Sequence, residues 1–147
     1  MKILVGYDGS DKDAAALRWA LDVGTEFGAS IEVIHALGVL ESSHRMRDCG
    51  GESRYDHAVA DTKAAIATAV ESVGFDAEAL QITVVPGDPV LLMLRLIDER
   101  TPELVVLGRR PWGGHGHTTA LGSVSREVVA RACVPVVVVP AELHANP

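Results

Sequence analysis

The chain has little with which to cross a membrane, staple itself together or grip a polyanion. No stretch of its 147 residues reaches the roughly 18 consecutive apolar residues that a transmembrane helix needs. Met1-Lys-Ile-Leu-Val enters strand-like sequence at once, without a charged leader followed by an apolar signal region. Neither export nor membrane insertion is expected, and the expected location is cytoplasmic. Cysteine occurs only at positions 49 and 133, far apart and with no C-x-x-C or Cys/His zinc spacing, which argues against a disulfide framework and a structural zinc. Cys49 reads as a loop thiol and Cys133 as a small buried hydrophobe. Basic residues are outnumbered, giving a net charge of −7, so the mean field repels nucleic acid and anionic lipid. Arg109 and Arg110 make a pair, well short of a basic stripe. Also missing are a G-x-S-x-G elbow, a G-x-x-x-x-G-K-[ST] loop and an H-E-x-x-H pair. The sequence therefore favours binding over turnover and names no catalytic residue.

What is present is alternation. Apolar residues make up 48% of the chain, enough for one core, and no repeat or linker divides it. One domain is expected over residues 1–141, with a polar, frayed tail from Glu142 to Pro147. KILVGY at residues 2–7 reads as a strand and Asp8-Gly9-Ser10 as a turn. Ser10 is a credible helix N-cap with Asp13 three residues on, and Leu17, Ala20, Leu21 and Gly24 recur at helical spacing until Gly28 offers a C-cap. This predicts a helix over about residues 11–27. Ile31 to Ala36 is a second strand, the segment Glu41 to Ser53 with Gly50-Gly51 a loop, and Arg54 to Val73 a second helix. That helix has Ala58, Ala65, Ile66, Ala69, Val70 and Val73 on one face and Gly74 at its end. A strand over Gln81–Val85, a turn at Pro86-Gly87-Asp88 and a helix from Pro89 to Arg100 follow. Strand Leu104–Leu107, helix Val124–Ala132 and strand Val134–Val139 complete the series. Near-continuous Val/Ile/Leu strands between helices predict an α/β fold, an open doubly wound five-stranded parallel sheet with helices on both faces.

In such sheets ligands gather beyond the carboxyl ends of the strands, where strand order reverses. Four segments converge there: Asp8-Gly9-Ser10, the chain after Ala36, Pro86-Gly87-Asp88, and GRRPWGGHGHTTALGS from Gly108 to Ser123. Asp8 is a candidate acceptor for a ribose hydroxyl or an adenine amine, and equally a turn residue satisfying neighbouring amides. Gly122-Ser123 before a helix is an anion site or an N-cap, and the two are compatible. His115 and His117 alone make an incomplete metal shell, so no metal site is expected. His35, inside a strand, reads as a satisfied core or crevice-lining histidine. Trp112 is placed either to stack on a base or to pack the loop down.

ILVGYDGS, VVPGDPVLLMLRLIDE, LVVLGRR and LGSVSREVVARACVPVVVVP, in that order, resemble the universal stress protein family over almost the whole chain. The resemblance implies an adenine nucleotide α-hydrolase-like sheet, a homodimer formed through the last strand, at Pro135 to Val139, and ATP or a related adenine nucleotide as regulatory ligand, with Mg as its possible companion. Pairing across a twofold axis would also cover an apolar sheet edge, which the two flanking prolines otherwise protect. The implied site comprises Asp8 near the adenosine, Ala36 against the adenine ring, Gly108, Gly122 and Ser123 around the phosphates, and Leu107, Arg109, Gly113 and Val124 beside them. The family's G-x2-G-x9-G-[ST] signature is matched at Gly108 and at Gly122-Ser123, but Pro111 and Trp112 stand where its middle glycine belongs, in a loop one residue longer. Proline removes an amide and tryptophan adds bulk at that point. Gly113, beside Gly114, offers the missing amide if the loop bulges, and Arg109 and Arg110 offer charge-assisted bonds. Two functions follow: a nucleotide-binding stress module, or a nucleotide-free dimeric interaction module in which Pro111 and Trp112 close the loop. Weak ATP hydrolysis rests on fold analogy alone.

Overall fold

Along the first strand, successive side chains leave the sheet on opposite sides, and both sides are buried. Ile3 and Val5 belong to one apolar cluster and Leu4 to another. A strand buried on both faces is read as a continuous apolar run, which Ile3-Leu-Val5 within KILVG is. The computed structural model describes residues 1–9, 14–38, 51–109 and 121–141. Within them β1 (Lys2–Gly6), α1 (Ala14–Phe27), β2 (Ser30–Leu37), α2 (Gly51–Ser72), β3 (Gln81–Pro86), α3 (Pro89–Arg100), β4 (Leu104–Arg109), α4 (Ser123–Arg131) and β5 (Val136–Pro140) alternate. The five strands form one sheet in the order β3-β2-β1-β4-β5, and every pairing is parallel.

The order reverses at β1. Because crossovers between parallel strands keep one hand, helices laid down before and after the reversal fall on opposite faces. Leu17 and Leu21 of α1 and Ile66 and Val70 of α2 pack in the first cluster, with Val33 and Val106. Leu92, Met93, Leu96 and Ile97 of α3 and Val128 of α4 pack in the second, with Ile34, Val105 and Leu107. Each fully buried Leu or Ile contributes about 1.5–3 kcal/mol relative to exposure. The doubly wound sheet predicted from the sequence is the one observed.

Local chemistry sets most helix ends. Gly28 stands at φ 61°, with the Gly28 amide on the Thr25 carbonyl at 3.4 Å and that of Ala29 on Gly24 at 2.7 Å, the paired bonds of a Schellman cap. Gly74, at φ 91°, ends α2 in the same way through Val70 and Glu71. Asp88 caps α3, its carboxylate accepting from the Leu91 amide at 2.9 Å, with Pro89 in the first turn. A short 3₁₀ turn at Ala77–Ala79, capped by Asp76, was not expected.

Several boundaries differ from the expectation. α2 starts at Gly51 rather than Arg54, because glycine is costly in a helix interior but not in a first turn whose amides need no intrahelical partner. Ala65 is exposed, so the buried stripe of α2 runs Ala58, Ile66, Val70. Cys133 is exposed as well: it lies in the turn between α4 and β5, where no sheet or helix face draws it inward. Ser10, Asp13, the loop from Glu41 to Gly50 with Cys49, the stretch from Arg110 to Ala120 and the tail from Glu142 to Pro147 lie outside the described residues.

One carboxylate is buried in the second face. Glu32 is 3% exposed; it accepts from the Thr83 hydroxyl at 2.6 Å and pairs with Arg100 at the end of α3, at 3.7 Å. A buried charge persists only when paired and hydrogen-bonded, and this pair fastens α3 to β2. At the sheet's amino end the Lys2 amide donates to the Glu103 carboxylate at 2.6 Å, while the Glu103 amide donates to the Lys2 carbonyl at 3.0 Å.

Candidate functional site

The carboxyl ends of β1, β2 and β4 meet the first turns of α3 and α4, and a cavity of about 370 Å³ opens between them. Reversal of strand order at β1 is what keeps this space clear: the connections leaving β1 and β4 run to opposite faces.

Its floor depends on the absence of a side chain. A Cβ at Gly6 would stand 2.6 Å from Leu107 Cδ2 and 3.0 Å from Met93 Cε, so glycine lets strand β4 and helix α3 close on the end of β1. Ile34, Leu92, Met93 and Leu107 give the cavity apolar walls. The turn after β1 forms the rim. Tyr7 donates its amide to the Ile34 carbonyl at 2.9 Å, the ring Nδ1 of His35 lies 2.8 Å from the Tyr7 carbonyl, and Asp8 lines the cavity. Gly9 at φ 86° turns the chain away. On the far side the Gly87 amide donates to the Leu37 carbonyl at 3.0 Å, and Gly87 holds φ 134°, a conformation that favours glycine.

The opposite wall is the start of α4. The N-cap is Gly122, in extended conformation, with no side-chain hydrogen bond to the helix. This corrects the expected helix start at Val124 and the reading of Ser123 as cap: Ser123 is the first helical residue. The buried Ser125 hydroxyl donates instead to the Gly108 carbonyl at 3.0 Å, fixing the helix to the end of β4. A helix start capped by glycine presents amides and the positive end of the helix dipole to whatever fills the cavity.

Of the residues singled out in the sequence, Asp8, Ala36, Leu107, Gly108, Gly122, Ser123 and Val124 all line this one cavity. Arg109 ends β4 opposite Pro140 and is not among the lining residues. Gly113, Pro111, Trp112, His115 and His117 lie outside the described residues. His35 is satisfied at Nδ1, as expected of a histidine in a strand. The sequence reading had Leu107 but missed the other apolar wall residues, Ile34, Leu92 and Met93, and Ser125. Pro89, Leu92 and Met93 at i, i+3, i+4 were a usable signal, since that spacing puts the first turns of α3 on one face.

The description "Universal stress protein family" belongs to the family model that matches residues 1–140. Among solved structures, the universal stress protein UspA from Lactobacillus plantarum is 21% identical with a TM-score of 0.70, over 95% of this chain and 97% of that one. A universal stress protein solved in complex with cAMP is 23% identical, TM-score 0.66, over 97% and 98% of the two chains. One from Archaeoglobus fulgidus in complex with dAMP is 20% identical, TM-score 0.63, over 94% and 96%. At these identities the likeness is one of fold. None of the curated proteins compared with the chain matches it.

Proposed function

We propose, on the premise that this chain belongs to the universal stress protein family, that the crevice binds an adenine nucleotide as a regulatory ligand in a cytoplasmic stress-response module. The observation that carries this reading is convergence: seven residues chosen from the sequence for nucleotide contact line one cavity. Its volume of about 370 Å³ falls at the small end of the roughly 300–1,000 Å³ typical of small-molecule sites. Apolar walls suit the faces of a purine, and Asp8 at the rim suits its polar edge or the ribose. The glycine-capped start of α4 suits a phosphate. Arg109, with Gly113 in the following loop, is assigned to the phosphate side, where a magnesium ion would accompany a di- or triphosphate. The complexes of two structural relatives with cAMP and dAMP support the ligand class.

The same reading includes a homodimer. β5 is an outer strand of the sheet, and an antiparallel copy across a twofold axis would satisfy its open edge. No helix among the described residues is long and apolar enough to cross a membrane.

Isothermal titration of the dialysed protein with ATP, ADP and AMP tests the ligand. Saturable heat that Asp8→Asn weakens is the expected result; no heat at millimolar nucleotide would sink the reading. Gel filtration with light scattering tests the dimer, and a monomer at micromolar concentration would refute it.

A further inference from the structure

We infer that His35 is a positioning residue of the crevice, fixing the peptide that carries Asp8 without touching the ligand itself; for what Asp8 meets, this rests on the nucleotide reading above. The ladder that holds β1 to both of its neighbours ends at Gly6, opposite Ile34 and Leu107. Beyond that point the Tyr7 amide still reaches Ile34, and the Tyr7 carbonyl is met by His35 Nδ1 at 2.8 Å. A carbonyl oxygen carries no proton, so the proton in this contact belongs to the imidazole and Nδ1 is its donor. The Tyr7 carbonyl and the Asp8 amide share one planar peptide unit. Holding that oxygen therefore holds the plane from which Asp8 leaves, one residue past the last ladder bond.

The side of the sheet supports a role through the backbone. His35 alternates with Val33 and Leu37, both in the cluster under α1 and α2, while Ala36 packs with the cluster on the cavity's side. His35 borders the cavity, yet its strand position turns the ring toward the opposite face, where its recorded bond is to Tyr7. The neutral Nδ1–H tautomer and the imidazolium both make that bond; only the Nε2–H tautomer breaks it.

Two variants test the assignment. His35→Leu removes the donor, and His35→Asn keeps an N–H on the atom bonded to Cγ, where Nδ1 stands. Titration with adenosine and with AMP, on variants whose far-ultraviolet circular dichroism matches the parent, is expected to show about five- to tenfold weaker binding of both ligands to His35→Leu, the loss of one hydrogen bond. The factor by which AMP exceeds adenosine stays unchanged, because the phosphate end is untouched. His35→Asn returns to within about twofold of the parent. Binding of AMP to His35→Leu at parental strength would overturn the assignment, as would a shrunken AMP-to-adenosine factor or an Asn variant no better than Leu. Nitrogen-15 spectra of the uniformly labelled protein provide a ligand-free arm: a protonated Nδ1 on His35 and an Asp8 amide resonance that moves in His35→Leu support the tie, whereas an Nε2–H tautomer or an unmoved Asp8 amide overturns it. If the parent protein binds no adenine nucleotide, the nucleotide reading falls alone and this second arm still decides the tie.

Discussion

Placing a methyl group on Gly6 tests the floor of the cavity directly. The added Cβ of Gly6→Ala would lie 2.6 Å from Leu107 Cδ2 and 3.0 Å from Met93 Cε, against an ordinary carbon–carbon separation of about 3.5–4.0 Å. Leu107 must recede by about 1 Å and Met93 by about half that. Both side chains are buried, and both line the cavity, so the open direction for each is into it. Overpacking costs about 1–3 kcal/mol, and because flexible side-chain ends can yield here the lower end applies. Replacing glycine in a strand by alanine returns about 0.5–1 kcal/mol. The net expectation is a loss of at most about 0.5 kcal/mol, or a fall in Tm of up to roughly 2 °C for a chain of this size. Affinity for AMP should fall more visibly, by roughly tenfold, since the displaced groups occupy ligand space. Scanning calorimetry and titration read the two effects, and the Gly6→Ala/Leu107→Val pair should show a favourable coupling of at least about 0.5 kcal/mol. A Gly6→Ala protein with parental Tm and parental AMP affinity would refute the description of the floor.

The remaining predictions concern the frame. Arg100→Leu leaves the buried Glu32 carboxylate with Thr83 but no cation and should cost about 1–3 kcal/mol in urea unfolding, whereas Glu32→Gln keeps an acceptor for Thr83, frees Arg100 to water and should cost less; the reverse order would contradict the pairing. The Glu103 carboxyl is held below its ordinary 4.5, chiefly by the hydrogen bond from the Lys2 amide. A lowered carboxylate pKa stabilises the fold above the unfolded value and loses that contribution as pH falls through the folded one. The stability difference between the parent and Glu103→Gln should therefore be constant above pH 4.5 and shrink below it, and a difference that grows on acidification would be wrong in sign. Thr101, which ends α3, holds φ 47°, a conformation costly for a β-branched residue; Thr101→Gly should raise Tm, by about 2–4 °C per kcal/mol relieved, and a lower Tm would show that no strain resides there.

What could be read in the sequence was what neighbours in the chain decide. Gly28 and Gly74 marked helix ends because only a few residues take part in a C-cap, and Pro86-Gly87-Asp88-Pro89 announced a turn and a helix start because each residue has one conformational use there. A parallel sheet followed from apolar runs separated by helices, and the shared direction of its strands brings Asp8, Ala36, Gly108 and Gly122 to one edge of the sheet. The failures were questions of tertiary environment. Ala65 and Cys133 carry the right polarity for a core, but which face of a helix meets the sheet, and whether a turn residue points inward, is settled by packing. Ile34 and Met93 looked like ordinary core residues and are core residues, lying where the core happens to open. Ser123 has the composition of an N-cap, yet the preceding Gly122 adopts the extended conformation of that position and displaces the boundary by one residue.

The central sheet also acts as a partition. Its two apolar clusters touch it from opposite sides, and the apolar walls of the cavity, Ile34, Leu92, Met93 and Leu107, come from the α3/α4 side. Folding strength and ligand preference are therefore separable in this molecule. Leu17, Leu21, Ile66 and Val70 can be repacked to make the protein sturdier or softer with the pocket's shape left in place, while selection for a different ligand has an almost independent set of side chains on which to act.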